Sequence, residues 1–73
     1  MPFVNVRTVK GLLDAQQKEQ LQKRLTDLMV EIEGRGNEQF RPYVWVLIEE
    51  QDASSWTLGG IHPTAANAAK ILG

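Results

Sequence analysis

Tyr43-Val44-Trp45-Val46-Leu47-Ile48-Glu49 is the densest apolar segment of the chain. Its β-branched and aromatic residues fit a pleated surface. Alternation sends Val44, Val46 and Ile48 to one face and Tyr43, Trp45 and Leu47 to the other. Both sets are apolar, so the segment reads as a strand covered on two sides. Such a strand needs apolar matter against each face.

Upstream, Phe3-Val4-Asn5-Val6-Arg7-Thr8-Val9-Lys10 reads as another strand, stopped by Gly11. Val4, Val6 and Thr8 share one face; Phe3, Asn5, Arg7 and Val9 share the other. Asp14 followed by Gln17 has capping-box spacing, which predicts a helix starting near Ala15. Leu21, Leu25, Leu28, Met29 and Ile32 form its apolar stripe. Lys18, Glu19, Lys23, Arg24, Asp27 and Glu31 occupy the solvated or interface remainder. Glu33-Gly34-Arg35-Gly36 supplies glycine where a helix end favours a left-handed residue. Arg35 to Pro42 reads as a polar loop.

Strand, helix and strand make a β-α-β unit with parallel strands and a right-handed crossover, an α/β fold. The single helix covers one face of the two strands. Little else in the chain can cover the other, so a second subunit is expected there. After the second strand, Gly59-Gly60 predicts a turn or short hairpin. Thr64 could cap a short C-terminal helix through Ala65, Ala66, Ala68, Ala69, Ile71 and Leu72. With no internal repeat and no linker, residues 1–73 read as a single domain.

Seventy-three residues bury only a modest core. Small domains compensate with disulfides, metals or partner subunits. The chain has no cysteine, and His62 is its only histidine, which excludes disulfides and a multi-histidine metal site within one chain. Self-association is the remaining source of burial. The net charge of −1 comes with no basic block, so no nucleic-acid partner is expected. No apolar run approaches a membrane span, and no secretory signal is read at the N-terminus. A cytoplasmic location is the expectation.

Pro2 directly follows Met1. Methionine is readily trimmed before a small residue, and trimming here would leave a secondary amine at the end of the first strand. A chain-terminal amine titrates at about 7.7–8.0, and burial lowers that value further. A pKa near the working pH suits a general base. If Met1 is retained, the Pro2 nitrogen is an amide and cannot act as a base.

In order, the chain carries Met1-Pro2, a strand ending at Gly11, a helix opening Asp14-Ala15-Gln16-Gln17-Lys18, the strand Val44 to Glu50, and Trp56-Thr57-Leu58-Gly59-Gly60. This pattern resembles the short-chain members of the 4-oxalocrotonate tautomerase family over nearly the whole chain, up to about Gly60. The resemblance implies that β-α-β chains dimerise into a larger sheet and assemble as a homohexamer, a trimer of dimers. It implies no cofactor and no metal. It also implies isomerisation of small unsaturated 2-keto or 2-hydroxy acids, with the N-terminal proline, here Pro2, as general base. Trp56 matches the aromatic wall before the glycine pair.

Two departures stand out. The family's arginine after the first strand is replaced by Leu12 and Leu13. The arginine early in the second strand is replaced by Trp45, which is either core filling or part of the pocket. The connection before the second strand looks longer than the family's and carries Arg35 and Arg41. Each is either a substituting substrate-binding cation or a solvated loop residue. Arg7 is a structural ion-pair residue or a ligand contact. Asp52, Glu49 and Glu50 are the carboxylates available for hydratase or dehalogenase chemistry, the alternative reading on this scaffold. A non-catalytic oligomeric module is the third reading, should Met1 be retained. His62 reads as a surface or packing residue.

Overall fold

The computed structural model describes residues 2–63. Strand β1 (Phe3–Val9) and strand β2 (Trp45–Gln51) form a two-stranded parallel sheet. Phe3 pairs with Trp45, and the register runs in step to Val9 and Gln51. Helix α1 (Ala15–Ile32) makes the crossover. This is the expected β-α-β unit.

The start of α1 is fixed locally. The Asp14 carboxylate accepts from Gln17 N–H at 2.7 Å, and Gln17 Oε1 accepts from Asp14 N–H at 3.0 Å. These reciprocal bonds satisfy donors that the first turn leaves unpaired. The helix lies over the face made by Val4, Val6 and Thr8 with Val46, Ile48 and Glu50, all half-buried. Lys18 reaches from the helix to Glu50 and forms an ion pair that ties helix to sheet. The apolar stripe is only partly covered. Leu21, Leu25 and Met29 are half-buried, but Leu28 and Ile32 are exposed, and the deepest helical residue is Val30.

The end of α1 uses the Glu33–Gly36 segment as expected, with Gly36 as the left-handed glycine. The left-handed residues are Arg35 (φ 53°) and Gly36 (φ 79°). Gly36 N–H donates to Val30 O at 2.9 Å and closes the helix end. Gly34 is glycine for a different reason, which is lack of room. A Cβ there would sit 2.7 Å from Val30 O and 2.8 Å from the Phe40 ring. Gly34→Ala should therefore force the ring or the turn to move and cost about 1–3 kcal/mol. A thermal melt checks this, with a fall of at least ~4 °C expected for a chain of this size.

The expected polar loop before β2 is largely ordered. Glu38–Tyr43 form a 3-10 turn whose entry is capped by Asn37 Oδ1, which accepts from Gln39 N–H at 3.0 Å. Pro42 sits inside this turn, and its fixed φ suits the tight geometry. The turn holds Tyr43 out of the ladder, so β2 starts at Trp45 rather than Tyr43. At the far end β2 continues to Gln51, whose carbonyl accepts from Lys10 N–H at 2.8 Å.

On the opposite face of the sheet Val9 is buried at one end, but the Phe3–Trp45 end has no cover among the described residues. Phe3, Trp45 and Leu47 are 60%, 58% and 45% exposed there. Among the described residues, Val9 and Val30 are the buried aliphatic side chains, and Pro2 and Pro63 are also buried. Beyond β2, a 3-10 turn at Ala53–Ser55 leads to a small hairpin. Leu58 and Ile61 pair across Gly59 and Gly60 with N···O distances of 2.8 and 3.2 Å. The glycines have φ of 62° and 92°, as a two-residue hairpin turn of the primed type requires. The expected helix from Thr64 lies outside the described residues.

Candidate active site

Pro2 is buried immediately before β1. Its carbonyl accepts from Trp45 N–H at 3.0 Å, extending the ladder by one step and fixing the proline beside the start of β2. Parallel pairing thus brings Pro2 and Trp45 to the same end of the sheet.

Arg41 lies toward that end too, in the turn leading into β2, but its guanidinium is engaged. Its Nε and Nη2 donate to the two oxygens of Glu38 at 3.0 and 3.1 Å, and Nη1 donates to Asp27 Oδ1 at 2.8 Å. The paired carboxylates, Glu38 first, push the guanidinium above its ordinary value. Arg41 in turn holds the Glu38 carboxyl below the usual range. Lys23, and then Arg41, do the same to Asp27. Arg41 thereby staples the turn to α1. Arg35 is exposed and adopts its left-handed conformation at the helix end.

Trp56 stands elsewhere. It lines a shallow recess with Arg7, Gln51 and Ser55 near the C-terminal ends of the strands. Each strand has seven residues, so at ~3.3 Å per residue about 20 Å separates this end from Pro2. Pro2 and Trp56 of one chain therefore do not meet. The indole N–H of Trp56 is buried and finds no hydrogen-bond partner among the described residues. Leaving such a donor unpaired costs roughly 1–3 kcal/mol. His62 Nδ1 lies 2.6 Å from Trp56 O, which fastens the hairpin beneath the tryptophan.

The three carboxylates near the end of β2 have different settings. Lys18 holds the Glu50 carboxyl below the usual range through their hydrogen bond. Glu49 Oε1 accepts from Asn5 Nδ2, and Arg7 Nε lies 3.7 Å from the same oxygen. Asp52 precedes the 3-10 turn without capping it through its side chain. No cluster of metal-ligating side chains occurs among the described residues.

The grouping of Arg7, Gln51, Ser55 and Trp56 is not apparent from the sequence. Alternation puts Arg7 and Gln51 on one face once the parallel register is known, but the return of residues 53–56 onto that face has no periodic signal.

A family model described as tautomerase enzyme matches residues 2–66. The chain belongs to the tautomerase family. A probable tautomerase, K2, from Dickeya dadantii (strain 3937) is 37% identical to this tautomerase-family chain over 60 residues, covering 82% of this chain and 84% of the relative. The crystal structure of DmpI from Helicobacter pylori superposes with a TM-score of 0.65 at 32% identity, covering 84% of this chain and 94% of the other. The chain is thus an enzyme of the isomerase class with a tautomerase fold. Among the described residues, no helix of this tautomerase is long and apolar enough to cross a membrane.

Proposed function

We propose that the protein is a homohexameric, cytoplasmic tautomerase of small unsaturated 2-keto or 2-hydroxy acids, with Pro2 as general base after removal of Met1. The observation that carries this reading is the burial of Pro2 beside Trp45 on a tautomerase scaffold. A neutral secondary amine in that setting takes the enol hydroxyl proton as the C–O double bond forms. The resulting ammonium returns a proton to the substrate carbon, and the amine is regenerated.

Trp45 provides an apolar wall in the same chain. Trp56 joins the site from a neighbouring subunit, because the length of the strands keeps it from Pro2 of its own chain. The uncovered face of Phe3, Trp45 and Leu47 supports assembly of that kind. Arg35 and Arg41 are the cations of the longer connection. Arg41 would have to leave Glu38 and Asp27 to bind a substrate.

Leu12 and Trp45 stand where the family pattern has arginines, so the grip on a second carboxylate is weakened. A hydrogen bond to a charged group contributes ~1.5–3 kcal/mol, or about one to two decades. Phenylenolpyruvate should therefore be ketonised with a kcat/KM at least ~10-fold above that for 2-hydroxymuconate. The experiment is a spectrophotometric comparison of both substrates on protein whose intact mass has been measured. A mass lacking methionine and the expected preference support the reading. A clear preference for the dicarboxylate sinks the substrate assignment, and full retention of Met1 sinks the proline base.

A further inference from the structure

We infer that Arg7, Gln51, Ser55 and Trp56 form a carboxylate-binding subsite that takes a small acid with a single carboxylate next to a flat unsaturated or aromatic body. The inference deepens the tautomerase reading and rests on it for the catalytic role of the subsite, though not for the binding itself.

The four residues line one shallow recess of about 330 Å³, within the range of small-molecule sites. Their chemistry is complementary to an anion. Arg7 brings a permanent positive charge and a fork of donors, while the Ser55 hydroxyl and the Gln51 carboxamide each bring a donor. The buried indole N–H of Trp56 is a donor with no partner among the described residues, and a turn of the ring toward the recess would let a carboxylate oxygen satisfy it. The indole face offers a flat apolar surface to the rest of the ligand.

Among the described residues, Arg7 is the one cation lining the recess, and it is held less firmly than Arg41, Lys18 or Lys23. Arg41 is held by two carboxylates, and Lys18 and Lys23 are paired with Glu50 and Asp27. Arg7 has only a long contact, Nε to Glu49 Oε1 at 3.7 Å, beyond hydrogen-bonding distance, and its side chain is 69% exposed. Glu49 is meanwhile occupied by Asn5. The guanidinium is therefore available to an incoming acid, and Glu49 is the group that competes with it. Arg7 lies on strand β1, away from both arginine positions of the family pattern, so the subsite approaches the ligand from a different direction.

Cinnamate is a suitable probe because it has the expected shape and undergoes no tautomerisation. Titrating it into 15N-labelled assembled protein should shift the indole N–H resonance of Trp56, assigned with Trp45→Phe. By calorimetry Arg7→Gln should weaken cinnamate binding at least ~10-fold, as loss of a charged contact implies. Arg7→Lys should restore part of the affinity, and Ser55→Ala should weaken it less than Arg7→Gln does. Glu49→Gln should strengthen binding, because it removes the competing charge, and a purely structural role for Arg7 would not produce that gain. Cinnamamide, the uncharged analogue, should bind poorly.

Unchanged affinity in Arg7→Gln would overturn the subsite. So would a shift confined to the Trp45 indole, or a loss of affinity seen with Arg41→Gln and not with Arg7→Gln. Cinnamate binding requires no turnover. Failure of Pro2 as a base would show as full activity in Pro2→Ala while the Trp56 shift persisted, which distinguishes the two failures.

Discussion

Pro2→Ala should lower ketonisation of phenylenolpyruvate by about 10²–10⁴-fold, the usual contribution of a positioned general base. Alanine after Met1 also permits trimming, so the variant keeps a chain-terminal amine. What changes is the amine itself and its placement. A primary amine lacks the ring that fixes φ and packs into the buried position before β1. The carbonyl of residue 2 still accepts from Trp45 N–H, so the ladder and the fold should survive. Circular dichroism and light scattering identical to the parent, together with the collapsed rate, would localise the effect to the base. Parent-like activity in a correctly trimmed variant would remove proline catalysis from the account.

The second large effect concerns the uncovered sheet face. Leu47 lies in the middle of β2 between Trp45 and Glu49 and is 45% exposed within the chain. Leu47→Asp would set a carboxylate where a second subunit is expected to exclude water. Burying an unpaired charge costs far more than the lost apolar contact. Association at micromolar concentration should be abolished. Trp45→Ala should act less drastically. The aromatic ring carries 150–250 Å² of surface, 58% exposed in this fold. At ~25 cal/mol per Å² its loss is worth about 2–4 kcal/mol, or roughly two decades in the association constant. Sedimentation across a dilution series reads both variants. A Leu47→Asp protein of parental molar mass would show that the face is not an interface.

The readable parts of the fold were those with local causes. The alternation in Phe3–Val9 and the spacing of Asp14 and Gln17 each depend on a few neighbouring residues. Both elements lie where the residues indicate. Alternation alone places the start of β2 at Tyr43, because it does not reveal that Asn37 and Pro42 wind the chain into a 3-10 turn through that residue. The Glu33–Gly36 segment shows that the helix end needs glycine but not why Gly34 is one of them, since the obstruction there includes Phe40, a neighbour made only by folding. The site divides in the same way. The closeness of Pro2 and Trp45 follows from parallel pairing and could be inferred. The engagement of Arg41 by Asp27, fourteen positions away, and the return of Trp56 toward Arg7 are tertiary events with no pattern along the chain.

A core in which Val9 and Val30 are the buried aliphatic residues among those described also changes what the word stability means for this protein. In the assembly proposed above, the exposed apolar surface of the described residues would find cover by meeting another chain, so folding and assembly would be coupled by mass action. The melting temperature becomes a function of protein concentration rather than a constant of the sequence. Dilution acts as a denaturant. In that assembly the cell would set the fraction of folded enzyme partly through how much of the chain it makes, and a modest fall in expression would lower activity more than in proportion.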